Sequence, residues 1–220
     1  MTDTTISDRQ GGSEPDKAAG QPDHYSQLDA AENMAWDMLE KGAASAKQAF
    51  HTPVLATVTA DGAPQARTIV MREADRNTLM LRGNTDQRAP KAHQIANDSR
   101  VQLLFYDAAA KVQIRVTAHA DLITQGATRT EAWATSMPGS KVCYLAQGAP
   151  GTDQEGPTSG LPDYADQGQR VAPDKLEAGL KNFAVIRFSV EAIDWLYLDS
   201  NGHRRAQFDY VAKTKSWVIP

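Results

Sequence analysis

A chain of 220 residues that is 41% hydrophobic and 23% charged is long enough to bury one large core or two small ones, and nothing in it is fibrous. Its formal net charge of -4 and pI near 5.7 give no general attraction for nucleic acid or an anionic membrane, so any phosphate has to be held locally. The single cysteine, Cys143, excludes an intrachain disulfide; no signal peptide opens the chain and no apolar run approaches the roughly 20 residues that span a bilayer, so a reducing cytoplasm is the expected location.

Residues 1–25 are polar, rich in Gly, Asp and Ser, and are expected to form a disordered tail ahead of one domain over 26–220. From Gln27 to Ala49 the residues Leu28, Ala31, Ala35, Met38 and Leu39 recur at helical spacing, which predicts a helix capping a sheet. From Thr52 the texture changes to strands. "PVLATVT" and "PQARTIVMREA" read as a hairpin around Asp61-Gly62, because that pair readily takes the positive φ angles of a tight turn. "NTLMLRG" is a further strand and "APKAHQIAN" a short helix. "RVQLLFYD" and "VQIRVTAHADLI" then form a second hairpin, with Val112, Ile114, Val116, Ala118 and Ala120 on one face and Gln113, Arg115, Thr117, His119 and Asp121 on the other.

Residues 127–146 read as helical, and the Gly- and Pro-rich run from 148 to 173 reads as a long loop, a kind of segment that is usually functional or mobile. "FAVIRFSVEAIDWLYLD", "HRRAQFDYV" and "SWVI" are the closing strands. Hairpin-linked strands with helices at the start and middle predict a mainly β fold with helical additions, an antiparallel barrel of six to eight strands.

The chain has no phosphate-cradling glycine motif, no cluster of metal ligands and no nucleophile elbow, so no metal and no catalytic residue is assigned. What stands out is cationic: Arg67, Arg72, Arg82, Arg88 and Lys91 lie within 25 residues. "TDQRAPKAHQ" resembles a helix start, with Thr85 or Asp86 near the N-cap and Pro90 in the first turn, and such an end favours an anion. Composition leaves two readings of these charges, a phosphate site or a solvated basic face paired with Glu73, Asp75 and Asp86.

The order "HTPVLATVTADGAPQARTIVMR", "LRGNTDQRAPKAHQIANDSRVQLLFYDAAAKVQIRVTAHADL", "DWLYLDSNGHRRAQFDY" and "WVIP" resembles the pyridoxamine 5'-phosphate oxidase-like family of FMN-binding split barrels over about residues 28–220. The resemblance implies a homodimer with FMN at the subunit interface. It places Arg67 at the FMN phosphate, the backbone of Thr68, Ile69 and Val70 along the isoalloxazine ring, and Arg72 near the pyrimidine edge. Asn84, Thr85 and Lys91 match the phosphate-binding turn and helix, with Arg88 close to another phosphate ligand. Gln113 matches a glutamine that reaches the flavin, and Trp195 and Arg205 match C-terminal strands that complete the pocket from the partner subunit. The implied activity is an FMN-dependent oxidoreductase acting on a small molecule; a non-catalytic flavin carrier or sensor, or a split barrel using deazaflavin or haem, are the alternatives.

The substrate motifs depart from the oxidase. "TSMPGSKVCY" puts Met137, Pro138 and Gly139 where arginines would be expected, and "HRRAQF" puts Ala206 and Gln207 where that motif carries His and Arg. Pyridoxamine 5'-phosphate is therefore not the expected substrate, because a buried phosphate without paired cations binds weakly.

Overall fold

The computed structural model describes residues 22–220, so most of the expected tail lies outside the described residues. Its last residues, Asp23–Tyr25, form one turn of 3-10 helix, and Tyr25 is buried with its ring edge-on to Tyr197. Helix α1 (Leu28–Ala44) follows and buries Ala31, Ala35, Trp36 and Leu39 on one face, at the spacing the sequence predicts. It ends earlier than Ala49, and a short 3-10 turn at Ala49–His51 brings Phe50 back under it. Gly42 makes that return possible: a Cβ there would stand 2.6 Å from the Phe50 Cβ. Arg76 clamps the outer side of α1 through ion pairs to Asp37 and Glu40.

Nine antiparallel strands follow among the described residues: β1 (Val54–Val58), β2 (Pro64–Thr68), β3 (Met71–Asp75), β4 (Met80–Asp86), β5 (Arg100–Asp107), β6 (Val112–Ile123), β7 (Phe183–Tyr197), β8 (Arg204–Asp209) and β9 (Thr214–Val218). They run in the order β2-β1-β5-β6-β7-β4-β3, with β8 and β9 continuing from β7. The count exceeds the expected eight because "PQARTIVMREA" is two strands. β2 pairs with β1, while β3 pairs with β4 at the other end of the sheet path, so the chain crosses from one edge to the other at Ile69-Val70.

Strand β7 holds the barrel together. Its first half pairs with β4 from Phe183 to Ser189, its second half pairs with β8 from Ala192 to Tyr197, and β6 runs along both. A register shift opposite Thr117 and Ala118 falls between those halves, and a bulge there bends the strand where it changes partner. The core gathers the inward faces, including Leu55, Leu103, Phe105, Val116, Phe188, Ile193 and Phe208, with α1 closing one side.

Residues 127–146 are helical only in pieces: α3 (Ala127–Thr135), α4 (Pro138–Lys141) and a 3-10 turn at Val142–Leu145. Pro138 starts a fresh helix because its fixed φ suits a first turn but its ring blocks continuation of the preceding one. Trp133, Tyr144 and Phe183 form a small aromatic cluster under these pieces. The long loop follows and is anchored by a second small cluster of Leu145, Ala165, Val171 and Leu176, the last on α5 (Pro173–Leu176).

Candidate functional site

The site begins at the break in the sheet. Arg67, near the end of β2, lies opposite Leu55 of β1 and turns toward the interior side of the hairpin. Its guanidinium donates to Thr57 Oγ1 on β1 and, at 3.0 Å, to Gln94 Oε1 on α2 (Pro90–Asn97); the Thr57 hydroxyl donates to the same amide oxygen at 2.6 Å. One arginine thus joins β1, β2 and α2. No carboxylate within ion-pair distance neutralises it among the described residues, and burial holds its pKa below the ordinary arginine value.

Lys91, in the first turn of α2, is in the same condition. Burial lowers its pKa below the ordinary lysine value, and repulsion from Arg67 adds to that, with Asp86 opposing from a distance. It forms no ion pair among the described residues. Two desolvated cations side by side are costly unless an anion joins them, and the first N-H groups of α2 add partial positive charge at the same end. Arg72 completes the group. It sits at the register shift between Met71 and Glu73 in the β3-β4 pair, and its Nε is buried with no hydrogen-bond partner. A bulge re-aims a side chain out of the alternation of its strand. Arg67 and Arg72 therefore lie on different strands, since the chain leaves β2 after Thr68 and restarts at Met71 with Arg72 at the bulge.

The connecting residues are tightly placed. Ile69 is buried and its N-H donates to Pro53 O at 3.0 Å, Val70 O lies 3.4 Å from where a Cβ on Gly83 would be, and Thr68 is exposed. Thr85 is buried at the end of β4, with its hydroxyl donating to Asp86 O, and Asn84 accepts from Arg82 at 3.4 Å. The N-cap of α2 is Ala89, in place of the expected Thr85 or Asp86. Asp86 does something else: its carboxylate accepts from the Arg88 backbone N-H at 2.8 Å and pairs with the Arg88 side chain at 2.6 and 3.0 Å.

Arg88 is therefore already neutralised, and it spends its remaining donors on Ala146 O at 3.0 Å and Gln147 O at 3.4 Å. It ties the long loop to the start of α2. Arg205 is likewise occupied, gripping Asp194 through both carboxylate oxygens at 3.0 and 2.8 Å. Arg115 at 2.6 Å and Gln207 at 3.1 Å converge on the same carboxylate. Burial alone would raise the Asp194 pKa, but its three donors outweigh that and hold it below the ordinary carboxylate range. Trp195 is fully buried against Tyr197, His24 and Trp217, so its ring offers no surface to a ligand in this arrangement, and its Nε1 has no protein partner. Gln113 points to the outer face of β6, beside Tyr106 of β5, and no hydrogen bond joins it to the Arg67 group.

The sequence-predicted residues Arg67, Arg72 and Lys91 thus stand out together as under-neutralised cations, with the Ile69-Val70 crossing between the two arginines. Thr57 and Gln94 were missed. The available signal was a hydroxyl in the inward register of β1, next to Leu55, where an apolar residue would be expected. Among the described residues no group of three or more His, Cys, Asp or Glu side chains is placed to hold a metal ion, and no helix is long and apolar enough to cross a membrane.

Comparison with known proteins bears on this geometry. Residues 33–124, which hold Arg67, Arg72 and Lys91, match the family model described as pyridoxamine 5'-phosphate oxidase, FMN-binding domain. Pyridoxine/pyridoxamine 5'-phosphate oxidase 2 of Arabidopsis thaliana is 25% identical over 155 residues, 67% of this chain and 73% of the relative. A pyridoxamine 5'-phosphate oxidase-related, FMN binding protein from Nostoc punctiforme superposes with a TM-score of 0.67 at 22% identity, covering 86% of this chain and 96% of the other. PhzG from Burkholderia lata, solved with tetrahydrophenazine-1-carboxylic acid, superposes with a TM-score of 0.62 at 14% identity, covering 91% and 97%. Residues 33–124 thus match the model of that FMN-binding domain, and the chain shares the antiparallel barrel fold of these solved structures.

Proposed function

We propose that this protein binds FMN at the Arg67, Arg72 and Lys91 group and acts as a flavin-dependent oxidoreductase on a small molecule. The observation that carries the reading is electrostatic: these three cations lie on β2, on the β3 bulge and at the start of α2, and none has an ion-paired carboxylate among the described residues, whereas Arg76, Arg82, Arg88, Arg115 and Arg205 all do. A phosphate monoester supplies the missing charge for Arg67 and Lys91, and the N-terminus of α2 adds its partial positive charge. Arg72, with its unpartnered Nε, suits the electron-rich edge of the flavin ring, and the Ile69-Val70 backbone lies between the two ends.

FMN would supply the hydride chemistry, and the protein would bind, orient and tune it. Arg67 and Lys91 hold the phosphate end. A fixed cation at Arg72 makes the ring a better electron acceptor and so raises its reduction potential. A second copy of the chain fits the outer face of β5, where Leu104 and Tyr106 are exposed beside Gln113 and Arg115, and a homodimer would bring Gln113 toward the partner's flavin.

The absorption spectrum of the purified protein tests this directly. FMN is expected, released on denaturation at one molecule per chain; a deazaflavin or haem spectrum, or no uptake of added FMN, would overturn it. A screen of reduced nicotinamides then separates the enzyme from a carrier, since inertness toward every donor would make the protein a flavin carrier.

A further inference from the structure

The long loop builds a second cavity beside the cationic group. It holds about 470 Å³ and is lined by Cys143, Gln147, Gln154, Thr158, Ser159 and Leu161, with the chain from Gly148 to Thr152. Three features set it next to the flavin site. Arg88 holds the carbonyls of Ala146 and Gln147, Gly151 lies against Pro90 at the start of α2, and the Cys143 thiol is within electrostatic reach of Lys91, Asp86 and Arg72.

The lining is chemically uniform. It has amides, hydroxyls, a thiol and small apolar groups, and no charged side chain. Several of its backbone N-H groups are already used within the loop: Gln147 N-H donates to Gly160 O at 2.8 Å, Thr152 N-H to Ala149 O at 3.1 Å, and Gly160 N-H to Thr158 Oγ1 at 3.0 Å. From Ala146 to Asp166 the loop carries Asp153, Glu155, Asp163 and Asp166 and no basic residue, so its field repels anions while none of these carboxylates lines the cavity. Arg88, which holds the loop at Ala146 and Gln147, is locked to Asp86. An ion of either sign entering this cavity would find no counter-charge among the side chains that line it.

We infer that this cavity is the substrate chamber and that it accepts an uncharged ring compound with hydrogen-bonding groups, of a size to fill a few hundred Å³. The assignment as substrate chamber rests on the flavin reading; the preference for a neutral ligand rests on the lining alone. The probes are three matched rings: nicotinamide, its anionic counterpart nicotinate, and the cation 1-methylnicotinamide. Each is titrated into FMN-loaded protein and followed by saturation-transfer NMR and by the flavin absorption band. Nicotinamide is expected to bind roughly tenfold more tightly than either ion and to shift the flavin band. In Gly148→Phe that binding should fall at least to the level of the ions with flavin content unchanged, because nothing lies within 4 Å of a Cβ at Gly148 and the ring can fill the chamber.

Equal or tighter binding of either ion, no binding of the neutral ring, or unchanged binding in Gly148→Phe overturns the inference. If the protein takes up no FMN but nicotinamide still binds in preference to its ions and Gly148→Phe abolishes that, the flavin reading fails and the neutral chamber stands.

Discussion

Two groups of basic residues in this chain look alike in composition and differ in what surrounds them. Around Asp194, Arg115 and Arg205 share one carboxylate with Gln207, so each guanidinium has a carboxylate within ion-pair distance. Arg67 on β2 and Lys91 at the start of α2 have none; burial depresses both pKa values, and repulsion from Arg67 adds to the shift at Lys91. The contrast separates roles. A cation with a carboxylate partner holds strands together, and a desolvated cation without one is held by the fold for a charge that arrives from outside.

That contrast can be broken most directly at Arg67. Arg67→Ala is expected to weaken FMN binding roughly a hundredfold, as removing charge-assisted hydrogen bonds to a phosphate does, while circular dichroism shows the barrel retained. Wild-type flavin occupancy in that variant would place the phosphate elsewhere. The opposite response is expected at the Asp194 network. Asp194→Ala leaves Arg115 and Arg205 facing each other and should cost about 1–2 kcal/mol of unfolding free energy, with FMN affinity unchanged, as measured by urea titration. Because the Asp194 carboxyl titrates below its ordinary range, its contribution is fully present above that range and is lost as the pH falls through its folded value. Asp194→Asn should flatten that acid limb of the stability profile.

How much of this contrast was legible in the sequence differs by residue. The alternation in "VQIRVTAHADLI" gave β6 its inward and outward faces, and Asp61-Gly62 marked the β1-β2 turn, with Gly62 at φ 88°. The break at Ile69-Val70 was not legible, because apolar residues continue through it and periodicity alone cannot distinguish one strand from two that pair at opposite sheet edges. The positions of the arginines could be read but not their partners. Asp86 is two residues from Arg88 and suggested a solvated pair nearby, yet it grips that arginine in the buried turn; Asp194 is eleven residues from Arg205 and meets it only because β7 and β8 pair. The resemblance set Trp195 at the pocket, and its packing against a residue as distant as His24 could not be read from the sequence.

Arg72 sharpens the comparison on a finer scale. Arg72→Ala is expected to keep FMN and lower its midpoint potential by about 30 mV, equivalent to about 1.4 kcal/mol for a two-electron couple, measured by spectroelectrochemical titration. An unchanged potential would leave Arg72 with no electronic role. The smallest effect is expected at Arg82, whose exposed partner Glu73 makes a pair of the ordinary surface kind. Arg82→Ala should change stability by no more than about 0.5 kcal/mol and leave flavin binding and potential untouched.

The tether between Arg88 and the long loop has an evolutionary consequence. Arg88 holds that loop through two main-chain carbonyls, Ala146 O and Gln147 O, and every amino acid carries that acceptor. Mutations in the loop can therefore exchange its side chains without releasing the anchor. A lineage could vary the loop's side chains while inheriting an unaltered attachment to the barrel, so diversity among close homologues is expected to concentrate between positions 147 and 161.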